Sequence, residues 1–273
     1  MRGGDLPRVV AYAAIYTVIG IGLPLQQEAI TVTHVAGLVV VGLLYGVLLS
    51  FAMGRMDVGR QGLMMTVMPA IFAIQYFNPI IEGFFFTTRL NDPVALVMGT
   101  IVGFLLAAVY AIIAVALFGS SPKASTLGSR FRECIGARAR IGWIWRFIVV
   151  ASSWLVIYYA FGSIVRPYVL PFYEDPDFPY QLVLPSARIV LVVQFIRGFI
   201  YVGSLTPLLV SLRSNLKELI MVITGFLYIG GGLGIFVIVE SFPAFLRVVH
   251  GLEIFADSLF FGVMISCLLR KPG

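Results

Sequence analysis

Eight stretches of apolar residues recur along the chain, each close to the roughly twenty residues a helix needs to cross a hydrocarbon core of about 30 Å. They cover residues 9–25, 32–53, 63–86, 94–118, 142–165, 185–209, 219–239 and 249–269. The runs are continuously apolar rather than alternating, and lipid offers no partner to an open sheet edge, so helices are favoured over a barrel. The fold class is therefore all-α, a polytopic transmembrane helix bundle. With 60% apolar residues, 12% charged residues and no linker, residues 1–273 read as one integral membrane domain whose first partner is the lipid bilayer.

Orientation follows from the placement of lysine and arginine. A cytoplasmic N-terminus puts Arg2, Arg8, Arg55, Arg60, Lys123, Arg130, Arg132, Arg138, Arg140, Arg213, Lys217, Arg270 and Lys271 inside, and leaves Arg89, Arg166, Arg188 and Arg247 outside. Both termini are expected in the cytoplasm, with the protein in the cell's cytoplasmic membrane. The net charge of +6 is accounted for by this anchoring and calls for no nucleic acid. The first run follows two arginines but has no small-x-small cleavage site before Gln26, Gln27 and Glu28, so it reads as a retained helix. Cys134 and Cys267 both fall on the reducing side, and no disulfide is expected.

Between the fourth and fifth runs lies a basic loop, 119–141, in which Leu127, Phe131 and Ile135 recur at four-residue steps. This predicts a short amphipathic helix at the inner leaflet, with 123–140 a candidate contact for anionic lipids. A connector that merely sets topology is the simpler reading. The external segment 166–185, rich in proline and aromatics, is expected to connect two spans at headgroup depth and partly to cover the mouth of any cavity. His34 to Ser50 and His250 to Ser266 look alike without gaps. A four-plus-four duplication would instead pair the second helix with the sixth, so this likeness reads as chance among apolar helices.

Function is sought where ionisable side chains interrupt the apolar runs, because a charge in hydrocarbon persists only when paired, solvated or used. Glu82, Arg197, Glu240, His250, Glu253 and Asp257 are such residues. His250, Glu253 and Asp257 stand at i, i+3 and i+7, on one face of the last helix. Gln75, Asn78 and Glu82 repeat that spacing in the third run. Gln194 and Arg197 lie one turn apart in the sixth, Arg197 roughly 18 Å along the helix from Pro185 and so near mid-membrane. A carboxylate partner is expected there, with Asp257 first and Glu253 next. Pro79 removes the amide that would bond the carbonyl of Gln75, and Gly230, Gly231, Gly232 and Gly234 permit close packing or a hinge in the seventh run.

Two chemistries suit this collection. A substrate or proton site built from Gln75, Asn78, Glu82, Gln194, Arg197, Glu253 and Asp257 would bind or move a small polar solute or ion. His250, Glu253, Asp257 and Glu82 would instead supply ligands for a divalent metal in an intramembrane enzyme acting on lipid, although a second Glu/His pair is missing. A satisfied polar network that only fixes helix packing, in a non-catalytic subunit or assembly factor, is the third reading.

Overall fold

A computed structural model describes residues 5–22, 30–88, 91–119, 125–175, 177–178, 181–238 and 242–271. Each predicted run is a helix long and apolar enough to span: Asp5–Gly22, Val32–Arg55, Arg60–Phe86, Pro93–Phe118, Arg140–Glu174, Ala187–Ser211, Leu216–Leu233 and Ala244–Leu269. The seventh continues through Gly234–Ile238. Eight spans alternating in direction put Asp5 and Leu269 at the same end of the bundle. The starts of several spans are fixed by side-chain caps. Thr31 accepts the amide of His34, Asp92 accepts that of Val94 ahead of the apolar run that opens at Pro93, and Asn215 and Glu218 form a reciprocal capping box.

The basic loop contains the helix expected there, Leu127–Gly136, opened by a Thr126–Ser129 capping box. It packs on the sixth span with Cys134 buried and Ile135 exposed. Lys123 lies outside the described residues.

The external segment departs from expectation. It does not begin as a connection at Arg166, because the fifth span runs unbroken to Glu174 through Pro167 and Pro171. Its 35 residues reach about 50 Å, well past the hydrocarbon core. Aromatic contacts hold this extension against its neighbours: Tyr168 lies across Phe245, and Phe172 packs on Phe178, which stacks on Phe242. That packing offsets the helix bonds that the two prolines cannot make.

Helix contacts divide the bundle into two lobes of four. The first span packs on the second, the third on the fourth and the first on the fourth; the fifth packs on the sixth, the seventh on the eighth and the fifth on the eighth. Across the boundary the third span meets the sixth and the second meets the seventh. This is the pattern of an approximate two-fold axis along the membrane normal. Residue detail repeats it. A Cβ on Gly42 would lie 2.9 Å from Ala13 Cα, and one on Gly198 would lie 2.1 Å from the carbonyl oxygen of Ala151. Tyr16 packs with Tyr45 and Tyr110 in the first lobe as Trp154 packs with Tyr201 and Phe261 in the second.

The axis passes between Met56 and Leu212, which form an antiparallel bridge on the side of the termini. Asp57 N–H donates to the Ser211 carbonyl at 3.1 Å, and Arg213 N–H donates to the Arg55 carbonyl at 3.0 Å, one bond being the symmetry copy of the other. The same numbering shift that relates Met56 to Leu212 relates Gly42 to Gly198 and Tyr45 to Tyr201. The second span therefore corresponds to the sixth, and the likeness of the second to the eighth has no counterpart in the packing.

Candidate functional site

On the axis, the third and seventh spans each contain a wide π turn, Phe72–Phe77 and Phe226–Leu233, and the two turns pack against each other. Their placement follows from local sequence. In the third span the turn ends at Asn78, whose backbone N–H bonds the Ala73 carbonyl five residues back. Its side-chain amide donates to the same oxygen at 2.7 Å, just before Pro79, which has no amide to give. The helix is thus widened rather than broken. In the seventh span the glycines allow the approach: a Cβ on Gly230 would lie 2.6 Å from Tyr45 Oη, and one on Gly232 would lie 2.6 Å from Ile254 Cγ2.

The π turn also redirects the polar stripe of the third span. One extra residue in a turn rotates the helix on its N-terminal side by about 100° relative to the helix on its C-terminal side. Gln75, inside the turn, donates to Tyr16 Oη at 2.9 Å in the first lobe. Asn78 and Glu82, beyond it, face the second lobe and reach Arg197.

Arg197 is 5% exposed, and four hydrogen bonds hold its guanidinium. Nε donates to Asn78 Oδ1 at 3.2 Å, Nη1 to Gln194 Oε1 at 3.0 Å, and Nη2 to Glu82 Oε2 and Tyr201 Oη, both at 3.1 Å. Gln194 Oε1 also accepts from Trp154 Nε1 at 3.0 Å. The expected bridge from Arg197 to Asp257, or failing that to Glu253, is not formed. Glu82 takes that place because the π turn aims it inward, while Glu253 accepts from Nδ1 of His250 one turn away on its own helix.

Glu82, Arg197, His250, Glu253 and Asp257 line one cavity of about 40 Å³ in the half of the bundle opposite the termini. Asp257 is 3% exposed, and its Oδ1 has no hydrogen-bond partner in the protein. A second, larger cavity of about 350 Å³ lies farther out, between the outer ends of the fifth and sixth spans. Tyr158, His250 and Glu253 belong to both cavities. The His250–Glu253 pair is therefore the partition between an outer groove and an inner polar chamber.

Six of the seven residues expected in a substrate or proton site are brought together: Asn78, Glu82, Gln194, Arg197, Glu253 and Asp257. Gln75 is not among them. Glu240 lies outside the described residues. The four candidate metal ligands, Glu82, His250, Glu253 and Asp257, share the chamber wall, but among the described residues no three His, Cys, Asp or Glu side chains converge as metal ligands do. Trp154, Tyr158, Tyr201 and Ser258 also line the chamber and were not foreseen. Tyr201 was within reach, since it stands four residues after Arg197 on the same helix face. Trp154 carried no such mark, because its role depends on the fifth span packing against the sixth.

On the side of the termini the bundle is closed by bonds between lobes. Arg55 donates to Glu218 Oε1 through Nε at 3.1 Å and Nη2 at 2.9 Å, Arg213 pairs with Asp57, and the hydroxyls of Thr66 and Ser211 meet at 3.2 Å.

No family model matches this chain, and no curated protein or solved structure is significantly similar to it.

Proposed function

We propose that this integral membrane protein binds and moves a small polar solute or ion, with the carboxylates of the chamber taking up a proton or a small cation. The observation that carries this reading is Asp257, a buried carboxylate whose Oδ1 lacks a donor in a chamber it shares with Glu82 and Glu253. A carboxylate so placed is compensated by a proton or by a cation beside it. Arg197 has the opposite character. Its bonds to Glu82, Asn78, Gln194 and Tyr201 leave it a structural counter-charge rather than a receptor for an anion. The architecture supports movement as well as binding: two similar lobes meet at paired π turns, with a chamber in one half of the membrane and inter-lobe bonds closing the other. Parallel repeats about an axis normal to the membrane are one architecture of alternating access. By the lysine and arginine count, the chamber half faces outward from the cytoplasmic membrane and the clamped half faces the cytoplasm.

The test is charge movement in proteoliposomes adsorbed to a solid-supported membrane, after jumps in proton, sodium or small organic cation concentration. Wild type is expected to give a saturable current that Asp257→Asn abolishes while the variant stays monodisperse. Currents absent from folded wild type, or unchanged in Asp257→Asn, would leave a packing network as the role of these residues.

A further inference from the structure

We infer that the outer groove is a binding site for an amphiphilic organic cation, its charged head against Glu253 and its apolar body between the fifth and sixth spans. This rests on the transport reading above and adds the class of substrate. The groove, at about 350 Å³, has the size of a small-molecule site, whereas the 40 Å³ chamber behind it holds no more than an ion or water. Its walls are apolar and aromatic, with Phe86, Tyr158, Tyr159 and Tyr173 among them. Tyr159 is 43% exposed and Leu184 55% exposed at the rim, so the groove is open to the surroundings of the bundle.

The polar end of the groove selects the sign of the head group. Glu253 is 7% exposed, and its carboxylate is held by a histidine rather than by arginine or lysine. Gly162 stands opposite. A Cβ there would lie 3.4 Å from Glu253 Oε1, so the glycine leaves room beside the carboxylate. Behind the partition are the Glu82 carboxylate and the unpartnered Oδ1 of Asp257. The basic groups nearby do not offset this for a ligand. Arg197 is occupied by four bonds, and Arg166 lies on the exposed outer rim. Carboxylates at the end of a tyrosine-lined cleft favour a cation through both Coulomb attraction and the aromatic faces. A cationic head settling against Glu253 displaces the imidazole of His250, which opens the partition and links occupation of the groove to the inner carboxylates.

The experiment is equilibrium dialysis of radiolabelled decyltrimethylammonium against the protein in nanodiscs, with empty nanodiscs as background and decyl sulfate as a probe of equal chain length. Saturable binding of the cation alone is expected, weakened about tenfold or more by Glu253→Gln, which removes a desolvated charge partner. Gly162→Leu, which fills the groove and leaves every charge in place, is expected to weaken it as well. Equal binding of decyl sulfate, or full binding by Glu253→Gln, would overturn the assignment and leave the groove a seat for bilayer lipid. If decyltrimethylammonium fails to bind while proton-driven currents persist and still require Asp257, the substrate class is wrong and the transport reading stands. If the currents fail too, both fall.

Discussion

The pairing of Arg197 with Glu82 instead of Asp257 gives a measurable asymmetry. Two unit charges about 4 Å apart interact by about 4 kcal/mol at an effective dielectric of about 20. Arg197 and Glu82 meet at 3.1 Å, but the Glu82 side chain is 40% exposed to the chamber while that of Arg197 is 6% exposed. Screening on the Glu82 side reduces the expected coupling to about 2 kcal/mol. Removing Arg197 alone would cost more, about 3–5 kcal/mol, because Asn78, Gln194 and Tyr201 lose their donor together. A double-mutant cycle cancels that shared loss and isolates the pair. The assay is reversible unfolding in mixed detergent and dodecyl sulfate micelles, comparing Arg197→Gln, Glu82→Gln and their combination with Arg197→Gln, Asp257→Asn and theirs. The first cycle is expected to give a coupling of about 2 kcal/mol, and the second less than half of it, because Asp257 faces the chamber without bonding Arg197. A larger coupling to Asp257 than to Glu82 would refute the role assigned to the π turn, since it is that turn which brings Glu82 inward.

Three further outcomes rest on the same geometry. Gly198→Ala is expected to destabilise by about 3 kcal/mol and Gly42→Ala by about 1 kcal/mol, because the first Cβ meets a backbone oxygen at 2.1 Å and the second a Cα at 2.9 Å; thermal unfolding checks the order, and the reverse would contradict the packing. Met56 and Leu212 face each other as a non-hydrogen-bonded antiparallel pair, for which Cα atoms lie about 4.5 Å apart. Met56→Cys with Leu212→Cys should therefore form a disulfide spontaneously and block the proteoliposome current until a reductant is added; free transport in the oxidised form would show that the lobes do not part there. Burial pushes the Cys134 thiol up, against the lowering effect of Lys271 and Arg138. In Cys267→Ser protein its alkylation by N-ethylmaleimide should keep rising with pH beyond the ordinary thiol range of about 8.5, and a plateau below that pH would show the loop helix undocked.

The spans were legible because lipid leaves a chain so few choices: about twenty apolar residues between polar ends admit a helix and little else. The same permissiveness hid the contacts that hold the helices together. In water an apolar stripe marks the buried face, but here both faces are apolar, and exposed Val97, Ile101 and Leu105 read no differently from buried Ala107 and Ala111 in the same span. The ionisable residues escaped that ambiguity, since each needs a partner whichever way its helix turns, and so the charged residues of the chamber could be found without knowing the packing. Their pairing could not. Counting 3.6 residues per turn through the third span puts Gln75, Asn78 and Glu82 on one stripe, and a single π turn before Pro79 separates the first from the other two. The likeness of the two lobes was hidden for a related reason. Its surviving signature in the second and sixth spans is a glycine followed three residues later by tyrosine, Gly42 and Tyr45 against Gly198 and Tyr201, too slight to stand out in sequence. Its mark is spatial: each glycine admits the backbone of the preceding helix, each tyrosine meets an aromatic ring from that helix, and the bridge between Met56 and Leu212 lies where the axis requires it. The lobes differ in their interiors. The position of Arg197 corresponds to Val41 and that of Trp154 to Tyr16, so the first lobe keeps an uncharged tyrosine cluster where the second keeps the arginine network. One lobe supplies most of the site, and the other supplies Asn78 and Glu82, which complete the bonds of Arg197.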